Sequence, residues 1–261
     1  MGLAIRQRIK RQVMQQTFRY YQTSSEYKIK QQAPKLWQLI QEYLAKSKSS
    51  GCDWTDYWAL YSHVKQYHPR EILECGTGVS TLVLAFAAYE NSTKKNILTH
   101  VTSMEEIPFY HEQSVRFLPE FLKPYVDILL SPRIEDAYCI YRGVRYRDTP
   151  NKRYEFAFID GPNTRSLADD SETFDFDLVH VIKQADYPVY ALIDMRLTTC
   201  YVLQKILGRD LVRYDWKTTL GYVGPCSKYD LKTISQQSSR ALQGSIRLLG
   251  ETQFHLNMEQ I

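Results

Sequence analysis

A doubly wound α/β fold, with a mostly parallel sheet covered by helices on both faces, is predicted by three features of this 261-residue sequence. The first is the run Glu71-Ile72-Leu73-Glu74-Cys75-Gly76-Thr77-Gly78-Val79-Ser80-Thr81-Leu82, which reads as a buried strand, a glycine-rich turn and the start of an apolar helix. The second is an alternation of strand-like and helix-like segments that continues from residue 71 to about residue 208. The third is a pair of apolar strands that each end in a carboxylate, Tyr154 to Asp160 and Tyr190 to Asp194.

Three helices precede the alternation. Residues 3–21 place Ile5, Ile9, Val13, Met14, Phe18 and Tyr21 at helical spacing with basic residues between them. Such an amphipathic helix could lie on an anionic membrane surface, dock on a partner, contact nucleic acid or pack on its own domain. Residues 33–46 start a second helix at Pro34 and carry Leu36, Trp37, Ile40, Tyr43 and Leu44; residues 46–51 read as a linker, and 54–67 as a third helix. Strands are then expected at 71–76, 97–104, 126–130, 154–160 and 189–194. Helices are expected at 80–90, 108–123, 172–185 and 198–208, with a short piece near 134–140. Residues 211–216 and 221–223 read as two short strands joined by a turn. The chain thus divides into a basic helical extension over 1–50, an α/β domain over 51–230 and a C-terminal extension over 231–261.

Hydrophobic residues at 44% and charged residues at 24% are ordinary for a globular protein, so a sizeable core is expected. The net charge of +4 is concentrated near the N-terminus, where Arg6, Arg8, Lys10, Arg11, Arg19, Lys28 and Lys30 face only Glu26. Five cysteines, at 52, 75, 139, 200 and 226, are odd in number and form no C-x-x-C pair, which argues against a disulfide framework or a zinc site. A reducing, cytoplasmic compartment fits, with peripheral membrane contact through the basic helix as an option. No apolar run is long enough to span a bilayer. The histidines show no metal-ligand spacing; His111 is the one placed near the expected site.

The glycine loop carries most of the chemistry. Gly76 and Gly78 let backbone approach a ligand without a Cβ in the way, and Ser80 and Thr81 suit the start of the following helix. Glu74-Cys75-Gly76-Thr77-Gly78 resembles motif I of the class I S-adenosylmethionine-dependent methyltransferases, a Rossmann-like family. A dinucleotide loop would instead need Gly or Ala at position 81, which holds Thr. The resemblance implies that Gly76, Thr77, Gly78 and Ser80 pass close to the methionine part of S-adenosylmethionine and that Glu74 meets its ammonium. It further implies that Glu105, at the second strand's end, receives the ribose diol and that Ser131, after the third, lies near the adenine.

The fourth strand's end, Phe158-Ile159-Asp160-Gly161-Pro162, resembles motif IV of the same family. Asp160 and Asp194 resemble two of the three metal ligands of the catechol O-methyltransferase branch, but Met195 stands where that branch has an amide. A thioether is a poor ligand for a hard cation, so no metal is expected. Asp160 is then a candidate general base or an orienter of the cofactor's amino group, with Asp194 a second catalytic candidate. Asp194 could equally cap a helix or pair with Arg196, and Arg196 could pair with an anionic substrate. The resemblance implies O-methylation of a hydroxyl on a small-molecule or glycan-like acceptor. Nucleic acid is not expected, because Asp160-Gly161-Pro162-Asn163 is not the acid-Pro-Pro-aromatic motif of the amino-methylating enzymes. The rival readings are an NAD-dependent oxidoreductase and a non-catalytic nucleotide-binding or scaffold module of the same fold.

Overall fold

The structure, a computed structural model, describes residues 2–47 and 53–233, with side chains described from residue 12 onward. Most of the expected linker and nearly all of the C-terminal extension lie outside the described residues. The helical layer comprises α1 (Gly2–Gln32), α2 (Pro34–Lys46) and α3 (Trp54–Tyr67). Then follow β1 (Glu71–Cys75), α4 (Val79–Lys95), β2 (His100–Glu105), α5 (Pro108–Phe117), a 3-10 turn (Glu120–Tyr125) and β3 (Val126–Leu130). The middle of the chain forms β4 (Arg133–Tyr138), β5 (Tyr141–Tyr146), β6 (Phe156–Ile159), β7 (Phe174–Asp175) and α6 (Asp177–Gln184). The last elements of the main sheet are β8 (Val189–Asp194), α7 (Leu197–Leu207), β9 (Val212–Asp215) and β10 (Leu220–Cys226).

Among the described residues, seven strands make one sheet in the order β3-β2-β1-β6-β8-β10-β9. Every neighbouring pair is parallel except those involving β10, which runs antiparallel to both β8 and β9. The central strands are buried on both faces, which is why Phe156–Ile159 reads as an unbroken apolar run. Strand alternation then sorts side chains into two cores. Ile72, Val101, Phe156 and Phe158 pack beneath α2, α3 and α4, while Leu73, Cys75, Ala157, Ile159 and Ile193 face α6 and α7. The sheet is therefore α/β and flanked by helices, compatible with a Rossmann-like arrangement.

Four expected helices differ in the structure. The first helix does not stop near residue 21: α1 runs for 31 residues, because no proline precedes Pro34, ahead of which Ala33 leaves the helical conformation with φ −139° and ψ 61°. Its second half is anchored, with Ile29 buried, Gln22 Nε2 donating to Asp53 Oδ1 at 2.6 Å and Gln22 Oε1 accepting from the Trp54 amide at 2.7 Å. Val13 and Met14 stay exposed, and no helix among the described residues is long and apolar enough to cross a membrane.

The short helix expected near 134–140 is instead strand β4, paired antiparallel with β5. Opposite charges stabilise that pairing across the strands, Arg145 Nε meeting Asp136 Oδ2 at 2.8 Å and Arg142 Nη2 meeting Glu135 Oε2 at 3.1 Å. β7 adds parallel to β5 and takes the start of the helix expected over 172–185, leaving α6 only Asp177–Gln184. The helix expected over 108–123 ends at Phe117, ahead of Pro119, and a 3-10 turn follows.

The small sheet makes a close-packed joint. A Cβ on Gly143 would stand 2.9 Å from both the Phe174 carbonyl oxygen and the Phe176 Cβ. Gly143→Ala is therefore expected to lower stability by about 1–3 kcal/mol, the usual cost of overpacking, measured by urea unfolding. An unchanged unfolding midpoint would mean that β5 and β7 do not meet this closely.

Candidate functional site

The chain runs from β1 outward through β2 to β3, then returns to lay β6 along the other edge of β1. Helices and loops leaving β1 and β6 thus diverge, and a crevice opens beyond the carboxyl ends of these two strands. A cleft of about 720 Å³ occupies that position, a size that suits a small organic ligand. The Gly76–Gly78 loop forms its base. Glu105, Ile107 and Tyr110 line one side, Asp160, Asp194 and Arg196 the other, and Asp53, Asp56 and Tyr57 at the start of α3 form a third wall.

The base depends on backbone contact between two loops. Gly76 has φ +100° and donates its amide to the Met104 carbonyl at 2.9 Å, while the Asp160 amide donates to the Cys75 carbonyl at 2.8 Å. A Cβ on Gly76 would lie 3.0 Å from the Asp160 carbonyl oxygen, and one on Gly161 would lie 2.9 Å from the Gly76 nitrogen and 2.6 Å from the Tyr146 hydroxyl. Neither position has room for a side chain. α4 begins directly above, with Thr81 Oγ1 accepting from the Gly78 amide at 3.0 Å and Val79 and Ser80 on the cleft surface.

Glu105 stands at the tip of β2, as the sequence reading placed it. Its Oε1 accepts from the Glu106 and Ile107 amides, each at 2.9 Å, and its Oε2 accepts from Thr77 Oγ1 at 2.6 Å. The carboxylate thereby joins the glycine loop to the β2 tip and remains on the cleft wall. Gly76, Thr77, Gly78, Ser80, Glu105, Asp160 and Asp194 are all brought together there.

Two expected site residues are placed elsewhere. Glu74 does not reach the cleft: it shares its strand face with Ile72, lies beneath α4 with 0% exposure, and accepts from Ser103 Oγ at 2.5 Å. Two-residue alternation along β1 turns it into the helix-covered layer rather than toward the strand end. Burial pushes its carboxyl up to about 7, against the partly offsetting hydroxyls of Ser103, Ser80 and Thr81. Ser131 is likewise fully buried; its Oγ accepts from the Asp148 amide at 2.9 Å and its own amide donates to the Glu105 carbonyl at 2.8 Å. It braces Glu105 from behind. His111 bonds the Ile128 carbonyl at 3.2 Å, whereas its neighbour Tyr110 lines the cleft.

On the opposite wall Arg196 acts as a clamp. Its Nη2 donates to the Asp160 carbonyl at 2.5 Å, and its Nη1 donates to the Pro162 carbonyl at 2.8 Å and to Asp175 Oδ1 at 2.6 Å. Its main ionic partner is thus Asp175, a fully buried carboxylate that also accepts from Thr199 Oγ1, rather than Asp194. The Asp160 side chain is 45% exposed into the cleft and 3.7 Å from Arg196 Nη2. Enclosure by the surrounding loops and the adjoining Asp194 charge raise its carboxyl well above the usual range. Asp56, 5% exposed, is raised in the same way by burial and then by Asp53 and Asp194, and Asp194 by burial.

The third wall escaped the sequence reading. Asp53, Asp56 and Tyr57 belong to a helix ahead of β1, where no strand-end pattern marks a functional position. The legible signal was the Asp53 cap, which accepts from the Thr55 and Asp56 amides at 2.8 and 3.2 Å. No group of three or more metal-ligating side chains is gathered in metal-binding fashion among the described residues. The sequence matches no protein-family model and no curated protein.

Glu74 gives this site a pH signature. Its proton is held in the folded chain up to about pH 7 but is lost near pH 4.5 when the chain unfolds. Stability from this group is therefore fullest below pH 4.5, declines as pH rises to 7 and levels off above, a total of about 3 kcal/mol. Glu74→Gln is expected to remove that decline, so that urea unfolding shows the variant gaining on the parent between pH 5 and pH 8. Parallel stability profiles would place an ionised carboxylate at position 74 throughout.

Proposed function

We propose that the chain is a class I, Rossmann-like methyltransferase that binds S-adenosylmethionine at the switch point between β1 and β6 and methylates a hydroxyl of a small or glycan-like acceptor. The observation that carries this reading is the convergence of the Gly76–Gly78 loop, Glu105 and Asp160 on one cleft, with a base in which a single Cβ at Gly76 or Gly161 would collide with backbone. A cradle kept free of side chains fits a cofactor that lies directly on main chain.

The residues divide into subsites. Glu105 receives the ribose diol by exchanging its Thr77 hydroxyl donor for the two sugar hydroxyls. Ile107 and Tyr110, 43% and 39% exposed beside it, offer apolar surface to a purine ring. The first turn of α4, from Val79, presents amides to the carboxylate of the methionine part. Glu74 and Ser131 act at one remove, by packing the glycine loop and bracing Glu105.

S-adenosylmethionine held there would supply an electrophilic sulfonium methyl, the electron pair of its C–S bond remaining on sulfur. The chain's part is alignment, exclusion of water and removal of one proton. Asp160 Oδ takes that proton from the acceptor hydroxyl as the oxygen forms its bond to carbon. Its raised pKa makes it a stronger base than an exposed aspartate, and its active ionised form grows as pH rises.

Isothermal titration of the full chain tests the reading. S-adenosylmethionine is expected to bind at micromolar concentrations and NAD not to bind. Glu105→Gln is expected to weaken the cofactor ~10–100-fold, the worth of hydrogen bonds to a charged group, with thermal stability retained. A preference for NAD, or a Glu105→Gln variant that binds S-adenosylmethionine as tightly as the parent, would overturn the assignment.

A further inference from the structure

We propose that the methyl acceptor carries a protonated amine and that Asp56 and Asp194 together hold it; the word acceptor rests on the methyl-transfer reading above, but the cation site does not. Carboxylates far outnumber cations around the cleft. Most of them have partners. Glu105 takes four donors from the protein, Glu106 pairs with Arg133 Nε at 3.2 Å and accepts from the Asn163 amide at 2.8 Å, and Asp53 caps α3.

Asp56 and Asp194 differ. Asp56 is 5% exposed, lines the cleft, and has a buried Oδ1 with no hydrogen-bond partner. Asp194 also lines the cleft and also has a buried, unpartnered Oδ1. The two carboxyls come from α3 and β8 and adjoin closely enough to share a proton. A buried acceptor left without a donor is costly, and two carboxylates side by side cannot both ionise without a cation between them. Among the described residues the cleft supplies none, since Arg196, the cation on this wall, is committed to Asp175 and to the carbonyls of Asp160 and Pro162. A cation that would let both carboxyls ionise therefore comes from the ligand.

The surroundings favour an ammonium over a divalent metal. An ammonium brings three N–H donors, enough to serve both carboxylates and reach one further acceptor, with charge-assisted strength. A divalent ion needs about six oxygen ligands, and here it would face the Arg196 guanidinium, 3.7 Å from Asp160 Oδ1, with the Met195 thioether next to Asp194 in the chain. Seated between Asp56 and Asp194, the amine occupies the wall beside Asp160, which leaves Asp160 to take a proton from a neighbouring hydroxyl. An amino alcohol or amino sugar has this pairing of groups.

Ethanolammonium is the smallest probe that carries both groups. Thermal unfolding of the full chain is followed with ethanolammonium chloride, sodium chloride and magnesium chloride at equal ionic strength, and with ethylene glycol at equal concentration. Ethanolammonium is expected to raise the midpoint by about 2–4 °C over sodium chloride and over ethylene glycol. Asp56→Asn, or Asp194→Asn if the first variant does not fold, is expected to abolish that rise. Equal effects of ethanolammonium and ethylene glycol, a rise that survives both substitutions, or a larger rise with magnesium would each overturn the proposal. S-adenosylhomocysteine is tested in parallel. An ethanolammonium shift without any S-adenosylhomocysteine shift would retain the amine site and remove the methyl-transfer reading.

Discussion

The architecture of the cleft depends on one constraint, the backbone-to-backbone approach of the loop after β1 and the loop after β6. Gly76 and Gly161 stand so close that a methyl group on either would enter the other loop's main chain. Each hydrogen bond around them continues the sheet past its last strand residue: Gly76 to Met104, and Asp160 to Cys75. The strands therefore do not simply stop. Their tips are held in register, and the carboxylates of Glu105 and Asp160 inherit fixed positions on opposite sides of one base.

The helical layer completes what the sheet begins. A doubly wound sheet by itself yields a crevice open on one side. Here the start of α3 closes it, and α1 fixes the start of α3: the Gln22 side chain both donates to Asp53 and accepts from Trp54, two neighbouring residues at the helix origin. Thr55 Oγ1 adds a bond to the Thr218 carbonyl, which ties the same turn to the β9–β10 connection. The N-terminal extension thus braces the third wall of the cleft through Gln22. A basic helix that looked suited to a surface encounter has its second half built into the protein, while Val13 and Met14 are exposed.

What could be read from sequence follows the physics of each signal. Apolar strands buried on both faces announce themselves through composition, and a glycine pair between strand and helix marks the turn, so the parallel sheet and the positions of Gly76, Glu105, Asp160 and Asp194 were legible. Side-chain direction was less so. Glu74 lies one residue before the strand's end and alternation sends it under α4; counting back from the glycines gives proximity to the loop but not the face. The β4–β5 pairing was missed because Arg133–Tyr138 is half polar, and its strand character comes from the arginines of β5 across the ladder. Asp56 was invisible for a different reason. It belongs to an ordinary amphipathic helix, and only the tertiary packing of that helix over the strand tips brings its carboxyl to Asp194.

Four carboxyl groups in and below this cleft are pushed upward, Glu74, Asp56 and Asp194 by burial and the half-exposed Asp160 by enclosure among the surrounding loops and then the Asp194 charge. Each such shift is free energy withheld from folding at neutral pH, because the unfolded chain would ionise the group freely. Structural ion pairs do the opposite, as Glu135 illustrates: hydrogen bonds from Ser166 and Arg142 outweigh its slight burial and lower its carboxyl to about 2. Satisfied carboxylates on the β4–β5 ladder thus contrast with costly ones in and below the cleft, and the fully buried Asp175 and Asp177 beside β7 are raised as well. A cluster that destabilises the empty protein persists where a ligand relieves it, and relief of raised carboxyls requires positive charge or proton acceptance from a substrate. Both requirements point into the same cleft, where a sulfonium cofactor and a cationic acceptor would supply the charge and Asp160 would accept the proton.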